Sequence, residues 1–176
     1  MAIAASDDSS RVAVSSPSSG TVRVFSLTDG GYLETQVLRG DGGFGSSLAL
    51  SGDGKVLVVS ARTAFPLTAW VYEEQDAGFQ PQLAVHPALT PELSAATSVE
   101  FQVPVAVSGD GTAAAIGFPQ DGSVVVVRRA QAEWAITEAA LPPVAAASSS
   151  CPGVVTSNVS ARWASCSTRS AGSPHG

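Results

Sequence analysis

The sequence predicts an all-β chain: a partial β-propeller of about three four-stranded antiparallel blades, followed by a disordered C-terminal tail. Two observations carry this expectation. First, residues 44–61 read F-G-S-S-L-A-L-S-G-D-G-K-V-L-V-V-S-A, a β-hairpin with a short alternating strand, a Gly-Asp-Gly turn and a strongly apolar second strand. Second, that hairpin has a copy on each side. Placing Asp8, Asp53 and Asp110 in register aligns three segments, with steps of 45 and 57 positions. Four short strands at a period near 45 residues match a propeller blade.

The elements follow in chain order. The first strands of the copies are A-I-A-A-S (2–6), S-L-A-L-S (47–51) and P-V-A-V-S (104–108). Their small residues suit positions where blades converge on an axis, and Pro104 suits an unpaired inner edge. The turns are D-D-S-S, G-D-G-K and G-D-G-T, and the second strands are V-A-V-S-S-P (12–17), L-V-V-S-A-R (57–62) and A-A-I-G-F-P (114–119). Third strands recur as T-V-R-V-F (21–25), T-A-W-V-Y (68–72) and S-V-V-V-V (123–127). Fourth strands open on an aromatic, at Tyr32, Phe79 and Trp134. Residues 56–59 and 124–127 are apolar at every position, which implies cover on both sheet faces. The blades then span about 1–41, 42–98 and 99–141, with the extra length of the second in a proline-containing polar loop at 86–100. A two-sheet sandwich is the rival architecture, and the in-register repeat favours the propeller. No sustained 3.6-residue periodicity supports a helical solenoid.

After Leu141 the register ends. Pro142 and Pro143 stop the strand, and residues 142–176 are dominated by Ala, Ser and Gly, a composition that predicts disorder. Cys151 and Cys166 lie there with no further Cys or nearby His to complete a zinc site; whether they pair is open. Asn158-Val159-Ser160 matches the short glycosylation sequon.

Composition excludes some classes. A formal charge of −6, with nine scattered basic residues, opposes nucleic-acid binding. No apolar run approaches the roughly 20 residues of a spanning helix. The start, M-A-I-A-A-S-D-D, lacks the basic region of a signal peptide, and compartment is not fixed by it. Enzyme signatures are missing: there is no G-x-S-x-G, Walker loop or H-E-x-x-H, and His86 and His175 are the only histidines. Glu73 and Glu74 are neighbours on a strand and point opposite ways, so they form no catalytic pair. Trp70 and Trp134 sit at strand positions and suit blade packing better than a sugar platform.

From Phe44-Gly45 onward the chain resembles the FG-GAP repeat proteins, the propeller group that includes the integrin α-subunit head. Their repeat opens on Phe-Gly and closes its second strand with a Gly-Ala-Pro-like tripeptide. Here the second copy keeps Phe44-Gly45 and ends in Ser60-Ala61-Arg62. The third keeps Phe101, followed by Gln102, and ends in Gly117-Phe118-Pro119; the first ends in Ser15-Ser16-Pro17. The resemblance covers about residues 1–141. It implies a β-propeller and leans towards an extracellular or cell-surface setting. A closed propeller needs at least four blades, so three call for missing blades or self-association, and the chain is expected to be a fragment.

The resemblance also raises calcium, held in such hairpins by D-x-[DN]-x-D-G-x-x-D loops. In register, Asp53 has Ser51, Ala49 and Leu57 at the other ligand positions, and Asp110 has Ser108, Ala106 and Ala114. One carboxylate per loop does not meet a cation that takes six to eight oxygens, so no cofactor is expected. These Asp-Gly steps are read as turn chemistry instead. The first–second and third–fourth hairpins of a meander emerge at one end. They gather nine of the fifteen acids, among them Asp7, Asp8, Asp29, Asp53, Glu73, Glu74, Asp76 and Asp110, against Lys55, Arg128 and Arg129. That end is a candidate acidic interaction face. The expected role is a non-catalytic binding or scaffold module for a protein or glycan. The alternative is a piece of a larger propeller enzyme, such as a glycan-processing hydrolase, whose catalytic residues lie outside this chain.

Overall fold

A computed structural model describes residues 1–41, 43–61, 68–86, 102–119 and 123–139. Phe101, most of the 86–100 loop, and the expected disordered tail with Cys151 and Cys166 lie outside them. Twelve strands form three antiparallel sheets, each a meander of four strands in sequence order. The first is β1 (Ile3–Ala5), β2 (Arg11–Ser16), β3 (Thr21–Thr28) and β4 (Gly31–Arg39). The second is β5 (Ser47–Leu50), β6 (Val56–Ala61), β7 (Thr68–Gln75) and β8 (Gly78–Val85). The third is β9 (Val105–Val107), β10 (Ala113–Phe118), β11 (Ser123–Ala130) and β12 (Glu133–Ala139). Each expected strand is present. The third strands run three residues beyond the segments read from sequence, because two-residue loops at 29–30, 76–77 and 131–132 let the ladder continue to the turn.

The sheets stack face to face, with β6 in the middle. All six of its residues are buried. Leu57 and Val59 enter one apolar cluster with Ala13, Val22 and Val24 of the first sheet. Val56 and Val58 enter a second with Ala114, Ile116 and Phe118 of the third. Alternate residues of one strand thus seal two inter-sheet spaces, which explains why an apolar run replaces the alternating pattern of a half-exposed strand. Phe44 caps the first space, edge-on to Trp70 at 5.4 Å and Tyr72 at 6.3 Å. Trp134 is buried in the second, so both strand tryptophans serve packing.

One expectation is corrected. The run 124–127 predicted cover on both faces, yet only Val125 and Val127 are buried, while Val124 and Val126 are half-exposed. Sheet three has a neighbour on one side only among the described residues, so the pattern shows two faces built for burial and one of them filled.

Each sheet also carries a bulge at the same place in its third–fourth pair: Val24/Phe25, Val71/Tyr72 and Val126/Val127. The unpaired residues are Thr35, Gln82 and Thr137. The two threonines donate back to the carbonyls of Val24 and Val126, at 3.3 and 3.2 Å, across the bulge.

Burial ranks the side chains for stability. Leu57→Ala should cost about 2–5 kcal/mol in denaturant unfolding, through lost transfer energy and the cavity left behind. Ile136→Ala, on an outer strand and 52% exposed, should cost under about 1 kcal/mol.

Candidate functional site

The turn end of the sheets is built from one device used three times. In β1–β2, β5–β6 and β9–β10 the turn opens on a serine, Ser6, Ser51 or Ser108, with an aspartate two residues on. Each serine hydroxyl donates to that carboxylate, at 2.7, 2.6 and 2.6 Å. Each carboxylate also accepts the backbone N–H two residues further, from Ser10, Lys55 and Thr112, at 2.9, 3.1 and 3.1 Å. The serine oxygen in turn accepts the N–H of the following strand's first residues, Arg11, Val56 and Ala113. Asp8, Asp53 and Asp110 are therefore turned back into their own loops. The hydrogen bonds from Ser10 and Ser6 hold Asp8 down to a pKa of about 2, and those from Ser108 and Thr112 lower Asp110.

The residue after each aspartate takes a left-handed conformation. Gly54 and Gly111 have φ of 71° and 67°, while the first copy places Ser9 there, at 57°. The turns are also stitched sheet to sheet. The N–H of Asp7 donates to the Gly52 carbonyl at 2.9 Å, and that of Asp53 to the Gly109 carbonyl at 3.3 Å.

Glu73 and Glu74 do point opposite ways, and each finds a cation on a different neighbour. Glu74 pairs with Arg11 of the first sheet at 2.5 Å, and Glu73 with Arg129 of the third at 2.6 Å. Arg11, left out of the charge count made from sequence, also donates to the Gly54 carbonyl at 2.9 Å and lies over the Phe79 ring at 5.5 Å. Gln36 completes this junction: its amide donates to the Phe79 carbonyl at 3.0 Å and accepts the Phe79 N–H at 2.7 Å. A cavity of about 170 Å³ remains beneath, lined by Val24, Ser26, Thr35 and these groups.

Of the eight acids named for that face, Asp8, Asp53 and Asp110 sit in the serine-closed turns, and Glu73 and Glu74 are in ion pairs between sheets. Asp29 and Asp76 are exposed in the two-residue loops of β3–β4 and β7–β8, and Asp7 is exposed in the β1–β2 turn, next to Asp8. Sequence reasoning missed Arg11 and Gln36. Arg11 left one signal, as a charge in the column that holds Val56 and Ala113.

No family model matches the chain, and no curated protein matches it. Solved structures do. A protein from Bacteroides fragilis provisionally named 6-phosphogluconolactonase aligns with a TM-score of 0.54 at 19% identity, over 77% of this chain and 36% of its own. Saccharomyces cerevisiae Sqt1 gives 0.55 at 15% identity, over 79% and 34%. Kluyveromyces marxianus Hsv2 gives 0.52 at 14% identity, over 78% and 47%. The chain spans between a third and a half of these structures. At such identities the likeness defines the fold: an all-β, incomplete β-propeller of three four-stranded blades.

Two measurements check the turn. Ser9→Gly should raise stability by about 0.5–1 kcal/mol by relieving the left-handed strain, and Gly54→Ser should lower it. Because Asp8 titrates below its ordinary 3.8 in the folded chain, its contribution is present above that pH and lost as pH falls towards about 2. An Asp8→Asn chain should show a flatter acid-unfolding curve across that window, followed by tryptophan fluorescence.

Proposed function

We propose that the chain is a non-catalytic binding or scaffold module of FG-GAP-like propeller type, meeting a protein or glycan through its blade loops. One observation carries this reading. Five of the eight named acids are engaged in holding turns and blades together, so the turn end offers a rigid frame rather than a set of reacting groups. The FG-GAP component is supported by the Phe-Gly step. Phe44 fills the space between two blades, and Gly45, at φ 89°, donates its N–H to the Ser60 carbonyl at 2.9 Å. A side chain at position 45 would press on Ser15 and Val22 of the neighbouring blade.

The exposed acids outside the turn hydrogen bonds and ion pairs favour a basic protein surface as the partner. Asp7, Asp29 and Asp76 are short side chains on fixed loops, and the net charge of −6 adds long-range attraction.

A lysine-rich peptide is the probe. It should bind at 50 mM salt and lose affinity at least about tenfold by 500 mM, as expected for exposed charges screened over about a Debye length. Asp29→Asn with Asp76→Asn should weaken binding without altering the melting temperature. Affinity undiminished by salt, or no binding at 50 mM, would overturn the acidic-end reading.

A further inference from the structure

The chain repeats the Asp-Gly step, and the fold treats its copies unequally. Three lie wholly within the described residues: Asp29-Gly30 in the β3–β4 loop, and Asp53-Gly54 and Asp110-Gly111 in the serine-closed turns. The steps at 41–42 and 121–122 reach beyond the described residues. An Asp-Gly step is able to close into a cyclic imide, because glycine has no side chain to keep its amide nitrogen away from the preceding carboxyl group. That closure needs three freedoms. The carboxyl must turn towards the main chain and take up a proton, the amide N–H must be free of an acceptor, and the backbone must have room to fold over.

The two turns lack all three. Asp53 and Asp110 each hold a serine hydroxyl and a backbone N–H on one carboxylate oxygen. The donors that lower the pKa of Asp110 keep it ionised, the unreactive form, to lower pH. The N–H groups of Gly54 and Gly111 donate to the carbonyls of Ser51 and Ser108, both at 2.9 Å. Both glycines are buried, Gly54 against Ser6 and Arg11 of the first blade and Gly111 against Val56 and Ser51 of the second. The β3–β4 loop is the opposite. Asp29 and Gly30 are exposed, and neither the Asp29 carboxylate nor the Gly30 N–H has a hydrogen-bond partner among the described residues. A side chain added at Gly30 would meet nothing closer than Thr28 Oγ1, at 4.0 Å. The equivalent loop of the second blade, which has a blade on either side, likewise leaves Asp76 and Ala77 exposed, so stacking does not cover this corner.

We propose that Asp29 is a site of spontaneous modification, where the folded chain acquires an isoaspartate that the same dipeptide in its serine-closed turns does not. The Gly30 nitrogen attacks Cγ of the protonated Asp29 carboxyl. The C–N bond forms, a C–O bond of the carboxyl breaks, and the hydroxyl leaves with the amide proton as water. A water molecule then opens the imide ring. Breaking the bond from nitrogen to Cγ restores aspartate. Breaking the bond from nitrogen to the Asp29 main-chain carbonyl carbon leaves a free α-carboxylate and a chain that runs through the side chain. One water is lost and one regained, and nothing is oxidised or reduced. The product keeps its negative charge but adds a methylene to the main chain of a two-residue loop. Thr28 and Gly31 close that loop as a ladder pair, with Thr28 Oγ1 donating to the Gly31 carbonyl at 2.7 Å, so the modification moves the acid and loosens the end of the ladder. It also makes the chain a methyl acceptor for an isoaspartyl carboxyl methyltransferase.

Ageing the full chain in mildly acidic buffer for several weeks tests this, with isoaspartate read by methyltransferase labelling and located by electron-transfer fragmentation of its peptides. Label at Asp29 should accumulate at least about tenfold faster than at Asp53 or Asp110, the rate factor that one hydrogen bond to a charged group supplies. In urea, where the turns are lost, the three rates should converge. Gly30→Ala reproduces the Asp76-Ala77 step of the second blade, at a glycine outside the left-handed region with open space around it. It should slow labelling at Asp29 severalfold while the circular dichroism stays unchanged. Labelling of Asp53 or Asp110 as fast as Asp29 in the folded chain would overturn the proposal, and so would an absence of label at Asp29. A preference for Asp29 that persisted undiminished in urea would overturn it too, by making the selectivity a property of local sequence rather than of the fold.

Discussion

The structure depends on one constraint: the middle sheet has no solvent face. β6 is buried at all six positions, and its alternate residues belong to different apolar clusters. Burying a valine or leucine side chain contributes about 1.5–3 kcal/mol, so this one strand is a large part of what holds three sheets in register. Its neighbours follow from that. Small residues line the strands where sheets converge, and Phe44 closes the gap at the far end of the first joint. Charged contact between sheets is kept to the perimeter, where Arg11, Glu74, Glu73 and Arg129 stay partly solvated and avoid the cost of full burial.

The serine–aspartate turns fix the other coordinate. Apolar packing tolerates sliding, whereas three turns with the same hydrogen bonds set where each second strand starts. The stitching of Asp7 to Gly52 and Asp53 to Gly109 then carries that register from one sheet to the next. Asp8 and Asp110 show the electrostatic result: exposed carboxylates become stronger acids because hydrogen-bond donors surround them.

Much of this was legible in the sequence, for stated reasons. Strand positions were legible because burial on two faces leaves an unbroken apolar run. The turns were legible because Asp-Gly carries its own backbone chemistry. The opposed directions of Glu73 and Glu74 follow from strand parity alone. Their partners do not, since Arg11 lies 63 positions from Glu74 in sequence and only sheet stacking brings the two together. The bulges at Thr35, Gln82 and Thr137 were hidden because an inserted residue has no side-chain signature of its own. The misreading at Val124 and Val126 is instructive: side chains record the burial a surface is made for, and only the structure shows what is there to cover it.

Gln36 holds Phe79 by its main-chain N–H and carbonyl, Ser60 reaches the Val103 carbonyl at 2.8 Å, and Arg11 reaches the Gly54 carbonyl. In each joint a side chain on one blade grips backbone on the next. The gripped residue can be almost anything, because every amino acid offers the same carbonyl. A duplicated repeat therefore inherits a working acceptor for free and needs only one donor to be kept. Such one-sided joints let copies diverge in sequence as far as these three have while still stacking in the same way.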